Sequence, residues 1–531
     1  MLERPYPSVP GWSQLGGDLV DTSTSWTMPL HLRVNAEYML RACNQLGCGE
    51  SAPVQVGPAV DEAIGYFKAS NAESGDYFGS YLAISADGTT MVVSAYSEDS
   101  GAQGVGGDQS DNFTPKSGAA YVFVREGDTW TQQAYLKASN TDQDDSFGVV
   151  AISGNGDTIA VGAYYEDGVL NDPTINGATD SGAVYVFQRE AGEWSQEAYL
   201  KALNNLPLTA FGSTLALSAD GNTLAVGVED EDSSAIGINQ NPWLGTAENS
   251  GAVYVYSREY GEWGHRAYLK ASNADEGDRF GAAVALSADG NTLAVGATLE
   301  ESQFPGIDGD QSDDSFYSGA AYVFTRRDDS WTQQAYIKAS NPGQQDHFGY
   351  AIALSLDGDT LAVGAPFERS AATEIDGDQS NDEAFGAGAV YVFSRSNQTW
   401  QQDAYLKAPN AESSDVFGIS LALSGDGGVL VAAAQGEQSG DAGCFADPTD
   451  NSKDKSGAAY VFTRVTGTWT HRSYLKAPNS NSDYRFGGQV GLTVDGGTLV
   501  IGASGDRSTA TGIGGNQNNM AGSDVGAVYM Y

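Results

Sequence analysis

Seven copies of one unit run from about residue 66 to the end of the chain, and this repetition constrains the fold more than any other feature. Each copy opens with a Phe-Gly pair, and successive pairs lie 64 to 69 residues apart. Self-similarity at such a period indicates stacked or circularly arranged units. The pairs are Phe78-Gly79, Phe147-Gly148, Phe211-Gly212, Phe280-Gly281, Phe348-Gly349, Phe417-Gly418 and Phe486-Gly487.

Each unit has the pattern of four short strands. In copy four, Asp289-Gly290 marks a tight hairpin, because Asp and Gly both tolerate positive φ. The segments around it are short and rich in β-branched or small residues, and none has a helical period. The predicted strands of this copy are 280–287, 292–297, 318–325 and 333–338.

The two ends of the chain complement each other. The last copy stops at Tyr531, on its third strand, whereas residues 65–68 match the fourth-strand pattern and precede the first Phe-Gly pair. One strand from the front would therefore complete the last unit, and a linear stack would not need this exchange. The sequence predicts an all-β fold: a seven-bladed β-propeller of four-stranded antiparallel blades, its ring closed by the N-terminal strand.

The unit resembles the FG-GAP repeat of integrin α-like propellers and their bacterial relatives. Copy five carries both halves of that name, as Phe348-Gly349 and Gly364-Ala365-Pro366, and the resemblance covers about residues 60–531. It implies calcium in the hairpin between the first two strands, held by several carboxylates at alternating positions. Copy four has Ser287 and Thr292 where acids belong, so we expect a plain hairpin turn there instead.

Residues 1–57 have a different character. Residues 38–44, followed by Gly47-Cys48, resemble the closing strands of a fibronectin type III domain, although a whole sandwich needs about 90 residues. We therefore expect two domains, a small partial β-sandwich over 1–57 and the propeller over 58–531. An unrelated N-terminal cap is the alternative. A disulfide between Cys43 and Cys48 would suit an oxidising compartment.

The charge balance excludes several classes of partner. Asp and Glu total 69 against 26 Lys and Arg, a net charge of −43. Nucleic acid and anionic lipid both need cationic surfaces, and no apolar run is long enough for membrane insertion. An acidic chain of this kind fits a salty medium, bound divalent metal, or both. We expect a secreted or cell-surface protein whose signal would lie upstream, since the first residues lack an apolar core.

The long loops between the second and third strands are candidate calcium sites. Residues 307–314 of copy four nearly repeat as 375–382 of copy five, with oxygen-bearing side chains alternating around glycine. Such a pattern suits a hard cation, although Asp, Asn, Ser and Gly are also ordinary loop formers. The predicted metal ligands are Asp308, Asp310, Asp313, Asp376, Asp378 and Asp382, with Asp108 and Asp111 in copy one.

The linkers before the Phe-Gly pairs are acidic as well. In a four-stranded blade these linkers and the long loops emerge on one face, which is therefore the candidate surface for a protein or carbohydrate partner. A solvated rim with turn-capping Asp residues is the alternative. The recurring linker acids are Asp76, Asp145, Asp278, Asp346 and Asp415.

Catalytic motifs are lacking, and we expect no enzyme. The four histidines form no triad or zinc spacing, and the recurring Tyr and Trp residues are expected to pack between blades. Copy three departs most, with uncharged residues 204–208 and Trp243, which suits a partner contact. The sequence favours a non-enzymatic extracellular adhesion or recognition scaffold stabilised by calcium. The alternatives are the propeller domain of a secreted polysaccharide- or lipid-active enzyme, or a ligand-free spacer.

Overall fold

A computed structural model describes residues 1–4, 11–16, 27–44, 47–170, 172–312 and 317–531. The regular structure in these ranges is β-strand, apart from two 3₁₀ helices at Leu30–Leu32 and Pro58–Ala63. The all-β prediction is confirmed. None of the helices in these ranges has the length and apolar character needed to cross a membrane.

Seven antiparallel four-stranded sheets, numbered here by their Phe-Gly pairs, make up the repeat region. The first strands are Leu82–Ile84, Phe147–Ile152, Thr214–Leu217, Phe280–Leu286, Ala351–Leu354, Leu421–Leu423 and Phe486–Leu492. The second strands are Thr90–Ala95, Thr158–Ala163, Thr223–Val228, Thr292–Ala297, Thr360–Ala365, Val429–Ala434 and Leu499–Ala503.

The third and fourth strands pair in a hairpin that is longer than the sequence indicated. In copy four they end and begin at Arg327 and Ser330, beyond the predicted 325 and 333. The third strands are Ala119–Glu126, Ala183–Glu190, Ala252–Glu259, Ala320–Arg327, Ala389–Ser396, Ala458–Val465 and Ala527–Met530. The fourth strands of sheets 1 to 6 are Thr129–Leu136, Glu193–Leu200, Glu262–Leu269, Ser330–Ile337, Thr399–Leu406 and Thr468–Leu475.

Sheet 7 takes its fourth strand from the front of the chain. Gly65–Phe67 pairs antiparallel with Ala527–Met530, with Tyr66 opposite Tyr529. The first strand of sheet 7 also contacts the first strand of sheet 1, as neighbouring first strands do elsewhere in the repeat region. Sequence-distant ends of the repeat region therefore lie side by side.

Two glycine positions let neighbouring sheets approach closely: the Gly of each Phe-Gly pair, and the glycine near the end of the second strand in sheets 2 to 5 and 7. A Cβ on Gly281, in the Phe-Gly pair of sheet 4, would collide with the carbonyl of Ala252 in sheet 3. A Cβ on Gly296, in the second strand, would collide with the carbonyl of Gly349 in sheet 5. The Phe-Gly and Gly-Ala signatures thus mark the contacts between successive sheets.

The hairpin turn between first and second strands is closed by side chains. Gly290 adopts φ 67°, but Asp289 does not reach positive φ, contrary to the prediction. Its Oδ1 instead accepts hydrogen bonds from Ser287 Oγ at 2.6 Å and from the backbone N–H of Asn291 at 2.9 Å. The Asp caps the turn, in keeping with the plain hairpin that the sequence predicted.

A buried polar network recurs in every sheet. In sheet 1, Lys137 Nζ donates to Glu98 at 3.0 Å and to Ser117 Oγ at 2.7 Å. Glu98 also accepts from Tyr135 Oη and from the amide of Asn71, both at 2.9 Å. The seven ion pairs, at 2.6 to 3.1 Å and with side chains at most 2% exposed, are Lys137–Glu98, Lys201–Glu166, Lys270–Glu231, Lys338–Glu300, Lys407–Glu368, Lys476–Glu437 and Lys68–Asp506.

The recurring aromatic residues pack in the core, as predicted. Tyr121 is fully buried and donates its hydroxyl to Asn71 at 2.6 Å, which ties sheet 1 to the linker before it. Arg189 lies over Trp194, with 5.2 Å from Cζ to the ring centroid, and donates to Thr90 of sheet 1 at 3.1 Å. Arg258, Arg326 and Arg395 likewise fasten sheets 3, 4 and 5 to the sheets that precede them.

The N-terminal segment packs on sheets 6 and 7. Its strands Leu2–Arg4, Ser13–Gln14, Glu37–Met39 and Val54–Gln55 form one sheet, and Arg41–Asn44 pairs with Gly47–Glu50. The predicted Cys43–Cys48 disulfide is present in that hairpin. The imidazole Nε2 of buried His31 lies 2.9 Å from the carbonyl of Gly496, at the turn of sheet 7. The division at residues 57 and 58 stays a prediction.

The acidic linkers contain buried carboxyls rather than an exposed rim. Asp145 is 2% exposed and accepts the backbone N–H of Asp142 at 2.9 Å. Burial raises the pKa of Asp145 to about 8. Asp76, Asp346 and Asp415 are likewise buried caps, and burial raises each of their pKa values to about 7. Asp278 is 1% exposed and caps in the same way. These five acids therefore do not form an exposed face.

The Lys68–Asp506 pair, which joins the front of the chain to sheet 7, offers a direct test of the network. Lys68→Met leaves the Asp506 carboxylate buried without its cation, which costs about 3 to 5 kcal/mol. We expect a clear loss of stability in urea unfolding followed by circular dichroism. Lys116→Met, at an exposed loop lysine, is the control. Equal midpoints for the two variants would contradict a stabilising role for the pair.

The buried linker carboxyls predict a stability that falls with rising pH. Their folded pKa values exceed that of an unfolded Asp, so their stabilising contribution is complete below about pH 4 and is lost as pH rises through 7 to 8. Between pH 6 and 9 we expect roughly 1 to 3 kcal/mol of loss for each carboxyl. Asp145→Asn should flatten the urea-midpoint profile, whereas Asp128→Asn, in an exposed turn, should not.

Candidate functional site

A cavity of about 900 Å³ lies where the first strands of all seven sheets converge. The linkers before these strands and the loops after the second strands emerge at its mouth. It therefore opens on the face that the sequence proposed for partner contacts. We call it the central cavity.

Two positions of the repeat contribute variable side chains to the central cavity, the first of them in copies four and five only. The first directly precedes the Phe-Gly pair and has φ between 53° and 58° in all seven copies, so the backbone turns sharply there. Arg279 and His347 occupy it in copies four and five. The second position directly follows the second strand. The cavity-lining residues at or next to this position are Tyr96, Tyr164, Glu229, Thr298, Phe367, Gln435 and Ser504.

Tyrosines from sheets 1, 2 and 5 line one part of the cavity. The rings of Tyr77 and Tyr96 stack with centroids 5.4 Å apart and an interplanar angle of 19°. Burial raises the pKa of Tyr81, and the neighbouring Tyr164, Tyr96, Tyr350 and Glu229 raise it further. Phenol groups of several sheets therefore lie around one point, which is an arrangement that offers both ring faces and hydroxyls to a ligand.

Charged and polar groups from sheets 3 to 5 line another part. Arg279 and Glu229 form an ion pair at 3.5 Å, so most of the local charge is neutralised. His347 lies edge-on to Phe367, with ring centroids 4.9 Å apart. Burial lowers the pKa of His347, and the charge of Arg279 lowers it further. The imidazole is therefore neutral at neutral pH and available as a proton acceptor.

The predicted loop acids act as backbone caps. Asp308 and Asp376 accept the N–H groups of Tyr336 at 3.0 Å and Tyr405 at 2.9 Å, in the fourth strands of their own sheets. Asp310 and Asp378 accept the N–H groups two residues ahead at 3.0 and 2.8 Å. These contacts hold the loop shapes without a cation.

In copy one, Asp108 and Asp111 also accept N–H groups two residues ahead, at 2.9 and 3.2 Å. Asp382 belongs to the corresponding loop of copy five, and Asp313 lies outside the described residues. Throughout the described ranges, no group of three His, Cys, Asp or Glu side chains is placed to hold a metal ion. Calcium binding by these loops stays a prediction.

The departures of copy three lie at the surface. Leu208 in the linker is 65% exposed, and Trp243 in the long loop is 62% exposed. Their role as a partner contact stays a prediction.

Sequence reasoning missed the central cavity and with it His347, Arg279 and Tyr350. His265 and His471 lie in fourth strands, whereas His347 directly precedes a Phe-Gly pair. A signal was available, since the residue before each Phe-Gly pair varies from Tyr to Arg to His in an otherwise regular unit. Variation at a fixed position of a repeat marks a place that the fold does not need to keep constant.

Several solved structures are similar to this chain in fold. A candidate 6-phosphogluconolactonase of Bacteroides uniformis is 12% identical with a TM-score of 0.43, covering 75% of this chain and 86% of its own. The periplasmic gluconolactonase of Pseudomonas aeruginosa is 14% identical with a TM-score of 0.44, covering 79% and 97%. A chain of a mitotic checkpoint complex is 12% identical with a TM-score of 0.44, covering 87% and 92%. Comparison with curated proteins gave no significant match.

The prediction that this chain is not an enzyme is contradicted by two of the similar structures, which carry the names of lactonases. At these identities and TM-scores the likeness concerns the fold alone, and no activity is carried over from it.

The repeat itself has a match that spans most of the chain. The model of the FG-GAP repeat matches residues 65–123, 130–187, 263–324, 331–393 and 400–462, which together exceed half of the 531 residues. The sheets, the glycine-mediated contacts and this match agree, and the chain belongs to the FG-GAP repeat family of β-propellers.

Proposed function

We propose that this chain is a secreted, seven-bladed carbohydrate-recognition propeller that binds an uncharged saccharide in its central cavity. The observation that carries the proposal is the convergence of tyrosines with an Arg–Glu pair in a cavity of about 900 Å³. Such a site would serve cell adhesion, or it would be the carbohydrate-binding domain of a carbohydrate-active protein.

The closed ring in this proposal is supported by the two ends of the repeat region. Gly65–Phe67 completes sheet 7, and Lys68 forms its buried ion pair with Asp506 of that sheet. Contact between the first strands of sheets 7 and 1 supports the same closure. A ring of this kind protects its strand edges, and it gives the converging first strands a common centre.

A saccharide is favoured by the chemistry of the cavity lining. Aromatic rings stack on the C–H faces of sugars, while hydroxyl, amide and charged groups bond their hydroxyls. Tyr81, Tyr96, Tyr164 and Tyr350 supply rings, and Gln435 with other polar residues supplies hydrogen-bonding groups. The cavity is also large enough for more than one sugar ring.

An uncharged ligand is favoured by electrostatics. The chain carries a net charge of −43, which repels anions approaching from solution. Arg279 could attract an anion locally, but its pairing with Glu229 at 3.5 Å offsets most of that charge. The cavity therefore has no marked preference for an acidic sugar.

The secreted location and the N-terminal segment belong to the same proposal. The Cys43–Cys48 disulfide supports an oxidising compartment, where such bonds persist. The small sheet and hairpin before residue 57 are compatible with the predicted remnant of a fibronectin-type module.

Catalysis in the same cavity is the second candidate function. His347 favours it, because a neutral imidazole can accept a proton from a water molecule that attacks an ester or lactone carbonyl of a bound sugar. The guanidinium of Arg279 lies in the same cavity, and because its contact with Glu229 uses only Nη1, its other N–H groups would donate to the oxyanion formed in that step.

The test is binding of the full chain to an array of neutral oligosaccharides, followed by calorimetry with the best ligand. Tyr350→Ala removes an exposed ring from the cavity, and we expect roughly tenfold weaker binding, as for the loss of one stacking contact. Tyr260→Ala is the matched control, because Tyr260 is fully exposed in a turn on the opposite face. Product analysis of the same mixtures, with His347→Gln beside the wild type, tests the second candidate.

Two results would contradict the proposed saccharide site: no binding to any neutral oligosaccharide, or equal binding by the Tyr350 and Tyr260 variants. Product release that His347→Gln abolishes while binding persists would establish the catalytic candidate. If His347→Gln leaves product release unchanged, His347 is not the proton acceptor of the reaction.

Calcium binding by the long loops predicts a calcium-specific gain in stability. A bound ion stabilises the folded state, so millimolar calcium should raise the melting temperature above that in EDTA. Asp378→Asn should remove the gain, while Asp128→Asn should keep it. Sodium chloride of equal ionic strength is the control for screening of the acidic surface. An equal rise in sodium chloride would contradict calcium binding.

A further inference from the structure

A cycle of backbone hydrogen bonds joins the hairpin turns that follow the first strands. The N–H of Ala86 in sheet 1 donates to the carbonyl of Gly154 in sheet 2 at 2.9 Å, and Gly154 donates to Ala219 in sheet 3 at 2.9 Å. The series continues from sheet to sheet until Val494 of sheet 7 donates to the carbonyl of Ala86 at 3.3 Å. We call these residues the floor ring: Ala86, Gly154, Ala219, Ala288, Leu356, Gly425 and Val494.

The floor ring lies at the end of the first strands that is opposite the mouth of the central cavity. Residues near the start of each first strand line the cavity, as Val149 and Val150 do in sheet 2. Each floor-ring residue comes two positions after the last residue of its strand, as Gly154 follows Ile152. The first strands are thus the walls between the mouth and the floor ring.

The opening inside the floor ring is narrow. Chains joined by backbone hydrogen bonds lie about 4.8 Å apart, so seven such neighbours enclose a radius of about 5.5 Å at their Cα atoms. Within that radius the Cβ positions converge, since a Cβ on Gly154 would lie 3.1 Å from the Cβ of Ala219. Neighbouring Cβ atoms in a ring come closer together than their backbones only where they point towards the common centre.

Two larger side chains fill part of what remains of the opening. A Cβ on Gly425 would lie 2.7 Å from Cγ1 of Val494 and 2.8 Å from Cδ1 of Leu356. Leu356 and Val494 are the two neighbours of Gly425 in the floor ring, so their side chains reach the same point from both sides. The glycine leaves them that space. This end of the central cavity is therefore closed to anything as large as a sugar ring.

The polar groups of the central cavity lie towards its mouth. Tyr164, Glu229 and Gln435 directly follow the second strands of their sheets. Towards the floor ring, each first strand instead ends in a half-buried aliphatic residue. These residues are Ile84, Ile152, Leu217, Leu286, Leu354, Leu423 and Leu492. A sugar that enters from the mouth therefore meets hydrogen-bonding groups first and an apolar floor last.

We infer that the central cavity binds the end of a saccharide chain and excludes the interior of the chain. This inference rests on the saccharide site proposed above and adds which part of the ligand enters it. A cavity open at both ends lets a chain thread through, whereas a cavity closed by the floor ring admits a terminus or a short branch. The interior of a chain would have to turn back and leave by the same mouth, which requires twice the width.

The experiment is calorimetry of the full chain with linear hexasaccharides of glucose, mannose, xylose and N-acetylglucosamine as probes. Each probe is used uncapped, with a bulky dye on either terminal residue, and with the dye on both. We expect a probe that binds uncapped to lose all measurable binding when both ends are capped, because neither end then fits the cavity. At least one singly capped form should bind as the uncapped probe does, which controls for effects of the dye itself.

The Tyr350 and Tyr260 variants show where the probes bind. Tyr350→Ala should weaken binding of the uncapped probe and of the singly capped form that binds, whereas Tyr260→Ala should leave both unchanged, since Tyr350 lines the cavity and Tyr260 is fully exposed in a turn. Circular dichroism confirms that both variants are folded.

Three results would contradict end recognition, and they are distinguishable. If the doubly capped probe binds as the uncapped one does and Tyr350→Ala weakens both, the saccharide site stands and the inference is wrong. If each single cap abolishes binding, the cavity encloses the whole probe, and the inference is wrong as well. If no uncapped probe binds, the proposed function fails and the inference fails with it.

Discussion

The buried lysine–carboxylate pair is the interaction on which the rest of this architecture depends. Each pair joins the end of a fourth strand to the start of the long loop after the second strand, as Lys137 joins Glu98. Asn71 and Tyr121 extend the contact to the preceding linker. Removing two charges from water is costly, and an apolar replacement of equal volume is often as stable. The network therefore does more to fix which segments meet than to add stability.

Because this buried lysine–carboxylate network recurs in every sheet, the structure tolerates different residues at other positions of the repeat. The residue before each Phe-Gly pair keeps one backbone conformation in all seven copies, yet it carries Tyr, Ser, Ala, Arg, His or Val. In copies four and five this position brings Arg279 and His347 to the central cavity. Function in such a fold resides in the differences between copies, whereas the common residues report on packing.

The sequence predicted the features that a local pattern encodes. The alternation of small and β-branched residues located the second strand of copy four at 292–297, as observed. It placed the third strand's end too early, because Arg326 and Trp331 continue the hairpin through a cross-strand pair that no alternation of apolar residues reveals.

Local sequence patterns do not predict contacts between residues that are distant in the chain. Asp145 reads as a surface acid, but a backbone N–H three residues earlier holds it in a buried turn. Lys137 and Glu98 are 39 residues apart, and nothing in either segment identifies the other as its partner. The central cavity exists only through the convergence of seven distant strands, so its residues could be found in the sequence as variable positions but not as a site.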